Sequence, residues 1–279
     1  MSALLGLLAA LCWGIHDLCV RVVAQKASIL TSLAFVFALS LSFLIIAAVF
    51  QDGTGEMATE GLSRAILAGV LFAVACYGLY RAFEIGPVRL VAPIVGAYPV
   101  LSTGWAIING SSLSAVQLLA IAVVLVGVSF VSVLSDDTRA TTRKRDTIMW
   151  SLLACVCFFL TFALSQSAAA YGDILILNIL MRLSGLVLIF GALAVMRDVL
   201  FPDIRIIILL AIMAGLDALA LLSVSGAGYF PSPEFASVVA STFGLITIVL
   251  AWLFLKEALS LSQGIAVLCV FAAIAYLAN

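Results

Sequence analysis

Trp13, His16 and Asp17 lie within five residues of one another, inside an apolar run. On a helix, Trp13 and Asp17 are i, i+4 neighbours, which puts a ring and a carboxylate on one face. Asp17 and Arg21 share that spacing and are set to pair. An imidazole titrates near neutrality, so His16 is a candidate carrier of a coupling proton. Its alternative role is a hydrogen bond to a neighbouring helix. Arg182 and Asp217 also stand in the middle of apolar stretches, where ionisable groups are costly and usually functional. Together they could form a polar wall for a zwitterion, with Arg182 taking a carboxylate and Asp217 an ammonium. Asn178, one turn before Arg182, is placed to add a hydrogen bond. A structural ion pair that never touches cargo is the alternative. Tyr77, Tyr80 and Arg81 share a helix face, as do Tyr98 and Trp105. Tyr77 and Tyr98 are the deeper candidates for an aromatic-lined cavity. Tyr80, near the end of its run, is expected in the headgroup belt. Pro93, Gly96 and Pro99 interrupt one apolar run, and each proline frees a backbone carbonyl. A later run opens with Pro231-Ser232-Pro233 and continues through Ser237, Ser241, Thr242 and Gly244. Pro93, Gly96, Pro99 and Gly244 are the expected gating positions. Ser237 and Ser241 could offer hydroxyls to a polar solute.

The elements that must position these residues follow from composition. The chain has 279 residues, 65% of them hydrophobic and 10% charged. A soluble domain is about half apolar and about a quarter charged, so soluble and disordered readings are both excluded. Thirteen basic and fourteen acidic side chains nearly cancel, which gives no reason to expect a nucleic-acid partner. Each membrane crossing takes about 20 apolar residues. Apolar runs predict ten spans, at 3–24, 29–50, 64–84, 89–108, 115–134, 147–170, 174–196, 205–227, 233–254 and 259–278. The first run lacks a basic leader and is too long for a signal peptide. All six cysteines lie in apolar runs and read as packing residues, not a disulfide framework. With His16 the only histidine, no Cys/His zinc site is expected.

The spans divide five and five about a charged loop at 135–146, giving repeats at 1–134 and 147–279. Leu113-Ser114-Ala115-Val116-Gln117 recurs as Leu259-Ser260-Leu261-Ser262-Gln263, and Leu8, Ala9 and Cys12 recur as Leu153, Ala154 and Cys157. An odd number of spans per repeat inverts the second half, the architecture of many secondary transporters. The side bearing the termini is designated A and the opposite side B. Arg21, Lys26, Arg81, Arg89, Arg139, Arg143, Lys144, Arg145, Arg197, Arg205 and Lys256 fall at or near B, whereas Arg64 and Arg182 do not. That asymmetry places B in the cytoplasm and the termini outside. The 139–145 cluster reads as an orientation anchor.

No P-loop, HExxH or GxSxG motif is present. Neither a filter loop nor rings of charge suggest a channel. What remains is the movement of a solute. Trp13-Gly14, the segment Tyr80-Arg81-Ala82-Phe83-Glu84-Ile85-Gly86-Pro87-Val88-Arg89-Leu90-Val91-Ala92-Pro93, the following Tyr98-Pro99-Val100, and Phe254-Leu255-Lys256-Glu257-Ala258-Leu259-Ser260-Leu261-Ser262-Gln263-Gly264 carry a family pattern. On these residues the chain resembles the EamA-domain proteins of the drug/metabolite transporter superfamily, over nearly its whole length. Within the family it is similar to amino-acid and metabolite exporters, including the YddG-type exporters of aromatic amino acids. Gly110-Ser111 stands where the second half has Lys256-Glu257, a departure from the pattern. The resemblance implies an all-α integral membrane fold of ten helices in two inverted five-helix repeats. Helices 1–4 and 6–9 would surround a cavity, with 5 and 10 peripheral. It implies alternating access and termini in the cytoplasm, opposite to the charge count. The expected activity is export of amino acids or related small metabolites across the inner or plasma membrane. Proton coupling through His16 is a further expectation. No cofactor, metal or enzyme activity is expected, and the expected partners are the small-molecule cargo and membrane lipids, with the protein a monomer or homodimer. The alternatives are a multidrug or nucleotide-sugar-type exchanger and, after those, a membrane enzyme or scaffold.

Overall fold

The computed structural model describes residues 1–50, 55–108, 114–116, 119–120, 122–123, 126–127, 130, 141–196, 204–230, 233–257 and 260–277. Among the described residues every regular element is helical. Lipid offers backbone groups no partner, so a spanning chain satisfies them within its own helices. We number the helices α1 (Ser2–Val23), α2 (Ile29–Phe50), α3 (Thr59–Ile85), α4 (Val88–Val95), α5 (Tyr98–Ile108), α6 (Thr141–Ala169), α7 (Ile174–Met196), α8 (Ile204–Gly226), α9 (Glu234–Ala240), α10 (Phe243–Leu250) and α11 (Leu261–Leu277). A 3₁₀ turn, Ala227–Tyr229, follows α8, and a π turn, Ala251–Leu255, follows α10. Seven helical stretches are long and apolar enough to cross a membrane, and two shorter apolar ones span Val88–Leu101 and Leu261–Ala273.

Two expectations need correction. The spans predicted at 89–108 and 233–254 are each a broken pair, α4 with α5 and α9 with α10. The charged segment expected as loop through 146 is already helical from Thr141. The predicted fifth span falls largely outside the described residues, as does Gly110-Ser111; its described positions from 115 to 130 are helical.

The two breaks have the same form, 145 residues apart. Ala97 N–H bonds Ile94 O and Val100 N–H bonds Ala97 O; Thr242 N–H bonds Val239 O and Leu245 N–H bonds Thr242 O. In the first break Pro99 has no N–H for the Val95 carbonyl. The second has no proline. There the hydroxyls of Ser241 and Thr242 donate to Val238 O and Val239 O, each at 2.7 Å. Side-chain bonds of this kind compete with the helical ladder and bend it. Gly96 and Gly244 bring the breaks together: a Cβ on Gly96 would lie 3.1 Å from Ser241 O, and one on Gly244 3.0 Å from Ala92 O.

The packing repeats under the same shift. α1 packs on α8, and α6 on α3. α2 packs on both α7 and α8, and α7 on both α2 and α3. α1 packs on the broken pair α9 and α10, and α6 on α4 and α5. Each half thus completes the other, and the interface between halves is the core. Small residues permit the close approach that packing in lipid requires. Gly69 of α3 lies against the Met181 carbonyl and Ser184 of α7, and Gly14 of α1 against Ile246 of α10.

Gly69→Ala drives its new methyl into the Met181 carbonyl, so thermal unfolding in detergent reports a loss of about 1–3 kcal/mol. Gly215→Ala, whose Cβ meets Phe43 at an ordinary 3.7 Å, leaves the transition unchanged.

Candidate functional site

A cavity lies at the interface of the halves. Trp13, His16 and Asp17 of α1 line it, with Phe72, Cys76 and Leu79 of α3 and Tyr98 of α5. Phe158 and Phe162 of α6, Asp217 of α8 and Phe243 of α10 complete it. The lining is itself repeated at a shift of 145: Trp13 matches Phe158, Asp17 matches Phe162, Phe72 matches Asp217 and Tyr98 matches Phe243. The symmetry is one of position, not of charge. In the first half the acid stands on the first helix and the phenylalanine on the third; in the second half these are exchanged. The volume, about 20 Å³, is room for roughly one water.

Behind one wall sits an ion pair. Arg182 Nη2 lies 2.7 Å from Asp217 Oδ2, with Arg182 fully buried. The Trp13 indole N–H donates to Asp217 Oδ1 at 3.0 Å. The guanidinium rests on two rings, 4.9 Å from the centroid of Phe37 and 4.8 Å from that of Phe72. The shift of 145 carries Phe37 onto Arg182 and Phe72 onto Asp217. An aromatic pair of the first repeat therefore faces an ion pair of the second, and each covers the other. Desolvating two charges costs several kcal/mol per ion. The indole donor and the two ring faces offset part of that cost.

Asp17 behaves differently. Its Oδ1 lies 3.1 Å from His16 Nδ1. Its Oδ2 and His16 Nε2 are buried without a hydrogen-bond partner, and so is the hydroxyl of nearby Tyr80. The His16 and Tyr80 ring centroids are 6.3 Å apart.

The structure redistributes several predicted roles. Arg21 pairs with Glu257 at 3.2 Å and not with Asp17, because Glu257 sits at the same helix end while Asp17 is taken by His16. Asn178 does not support Arg182; its amide donates to Ile174 O at 2.9 Å, on its own helix. Neither Arg182 nor Asn178 lines the cavity. Tyr77 packs edge-on against Trp150, at 5.6 Å, and also stands outside the lining. Tyr80 is 1% exposed, inside the bundle and not in a headgroup belt. Trp105, by contrast, is exposed. Ser237 and Ser241 are buried beside the helix break, and Pro93, Gly96, Pro99 and Gly244 shape the breaks without lining the cavity. The Tyr98 hydroxyl donates to the Ser237 carbonyl, so the two broken pairs are tied to each other.

Polar contacts tie the helices together at both ends of the bundle. At end B, Arg21 also donates to the carbonyl of Phe83, and Gln25 donates to Phe83 O and Glu84 O. Glu257 Oε2 accepts the Val88 N–H at 3.0 Å, capping α4. Lys256 adopts a left-handed conformation, φ 54°, which turns the chain after the π turn and lets Glu257 fold back. At end A, Gln166 takes the place of Arg21, again 145 residues on. Its amide donates to Val224 O, Pro233 O and Ser237 Oγ. One closure is ionic and the other neutral. Sequence reasoning missed both, because their partners are carbonyls and a carboxylate far away along the chain.

The model of the EamA-like transporter family matches residues 1–133 and 146–279. A solved structure described only as a crystal structure of a protein is similar over 100% of this chain and 97% of its own, with a TM-score of 0.74 and 14% identity, a likeness of fold alone. No curated protein matches the chain significantly.

Asp217→Asn leaves Arg182 charged and alone, and unfolding in detergent registers a loss of about 3–5 kcal/mol. The double variant Asp217→Asn with Arg182→Gln recovers part of that loss. Equal destabilisation of single and double variants would show that the pair does not balance charge.

Proposed function

Since the chain belongs to the EamA-like transporter family, we propose that it moves amino acids or related small metabolites across the inner or plasma membrane, mainly outward. The observation that carries this reading is a small cavity between two halves, bridged by polar contacts at both ends and lined by aromatic rings and two carboxylates. Room for one water cannot hold an amino acid, so cargo enters only when one end parts. Alternating access follows, with the broken pairs α4–α5 and α9–α10 as the bending elements. Opening end B separates Arg21 from Glu257 and Phe83; opening end A separates Gln166 from α8 and α9.

The lining argues against nucleotide sugars. Among the described residues it holds Asp17 and Asp217 and no arginine or lysine, so a phosphate would meet like charge. A second reading, export of lipophilic cations, is favoured by Asp17, whose outer oxygen has no partner.

Proteoliposomes holding the purified protein, offered labelled amino acids, display saturable flux above empty vesicles; no flux for any amino acid refutes the leading cargo class. Glu257→Ala unlatches end B, so Cys76, kept as the sole cysteine, reacts several-fold faster with a maleimide than in the parent single-cysteine protein. An unchanged rate refutes the latch.

A further inference from the structure

A charged patch on the outside of the bundle takes no part in the cavity. At end B, α3 closes on the Gly86-Pro87 corner and α6 begins beside it. Gly86 lies against Thr147, and a Cβ on Gly78 would lie 3.1 Å from the Trp150 carbonyl. These contacts bring Arg81 of α3, Arg89 of α4 and the Arg143-Lys144-Arg145 run of α6 to the same end of one seam. Residues 77–90 and 141–150 hold five cations and two carboxylates, Glu84 and Asp146. Glu84 pairs with Arg81, yet 41% of the arginine side chain stays exposed. Arg143 and Arg145 are exposed and, among the described residues, form no ion pair. Just inside this rim, half-buried Tyr77 and Trp150 meet edge-on at 5.6 Å. Both side-chain types favour headgroup height, where the ring is in apolar surroundings and its polar tip is wet.

The fold does not require these residues. Under the shift of 145, Tyr77 falls on Leu222, Arg81 on Gly226, Arg89 on Glu234 and Trp150 on Leu5. The matching seam at end A, between α8 and α1, packs with none of these cations and neither ring. One packing arrangement thus presents different charge to the two faces of the membrane. The difference is directed at the surroundings, which at this height are phospholipid headgroups. A guanidinium grips a phosphate through paired N–H donors, and each basic residue near an anionic membrane surface is worth about 1 kcal/mol. Below the cluster, Met149, Leu152 and Val156 are exposed along one face of α6, with Arg145 at the head of the stripe. That stripe gives acyl chains an apolar track, which favours a lipid over a free phosphate.

We infer that the seam of α3, α4 and α6 at end B binds an anionic phospholipid, with its phosphate among Arg81, Arg143 and Arg145 and its glycerol beside Tyr77 and Trp150. Arg89 and Lys144 add to the attracting field. α6 belongs to one repeat and α3 and α4 to the other, so a single headgroup joins the two halves at their rim. The site is separate from the cavity and independent of what the cavity carries.

The test uses the full chain, stripped of lipid in a neutral detergent. The probes are phosphatidylglycerol, phosphatidylcholine with the same acyl chains, and inorganic phosphate. Native mass spectrometry is expected to find phosphatidylglycerol retained at least about tenfold over phosphatidylcholine, and added salt narrows that difference. The double variant Arg143→Gln with Arg145→Gln brings the two lipids within about twofold of each other. Lys26→Gln removes an exposed cation elsewhere at end B and leaves the preference intact. Phosphatidylglycerol with a photoreactive group near its glycerol labels α3 and the 149–156 stretch of α6 in the parent protein, which locates the site without any variant. Equal retention of the two lipids overturns the inference. So does a preference that survives the double variant, or labelling confined to other helices. An equal loss in Lys26→Gln reduces the effect to the general charge of end B and removes the site. Displacement of the lipid by equimolar inorganic phosphate hands the cluster to a free anion instead.

Discussion

Arg182 and Asp217 join more of this molecule than any other pair of side chains described. The pair links α7 to α8, Trp13 adds α1, and the rings of Phe37 and Phe72 add α2 and α3. In lipid there is no hydrophobic gain from bringing helices together, since the surroundings are equally apolar. Packing and polar contacts must hold the halves in register. A buried ion pair is a poor source of net stability but a strict one of geometry, because every misalignment leaves a charge unpaired. The aromatic pair that covers it occupies the matching positions of the other repeat. The interface therefore joins two related surfaces, one of which has become charged and the other has not.

That asymmetry runs through the chain. Asp17 stands opposite Phe162, Arg21 opposite Gln166, and Tyr98 opposite Phe243 under one shift. A perfectly repeated protein would meet both sides of the membrane with the same chemistry. Here end B closes with an ion pair and a capped helix, end A with a neutral amide reaching three acceptors. The two sets of contacts differ in kind, and salt screens only the first. Two motifs far apart in sequence, Gly86-Pro87-Val88 and Lys256-Glu257, are two sides of one contact: Pro87 starts α4, and Glu257 caps it.

Much of the fold was legible in the sequence because lipid selects on composition. Long apolar runs marked α1, α2, α3, α6, α7 and α8, and the depth of Arg182 and Asp217 marked them as a pair. Proline flagged one broken span. Its counterpart was hidden, since Ser241 and Thr242 break their helix through hydroxyl bonds to carbonyls three residues back. Local spacing misled where a distant partner competed. Arg21 took Glu257 instead of Asp17, and Asn178 took the carbonyl of Ile174 instead of Arg182.

The sequence by itself determined that this chain lives in a membrane, that it is helical and repeated, and that a few charges lie deep within its apolar runs. Only the tertiary structure decided which of those charges are spent and which are free. Asp17 and Asp217 are the same residue type at similar depth, and nothing along the chain separates them. Asp217 is silenced by an arginine from one helix and an indole from another, whereas Asp17 keeps an oxygen with no partner. Electrostatic balance is a property of distances in space, and helices that are neighbours there are far apart in the chain.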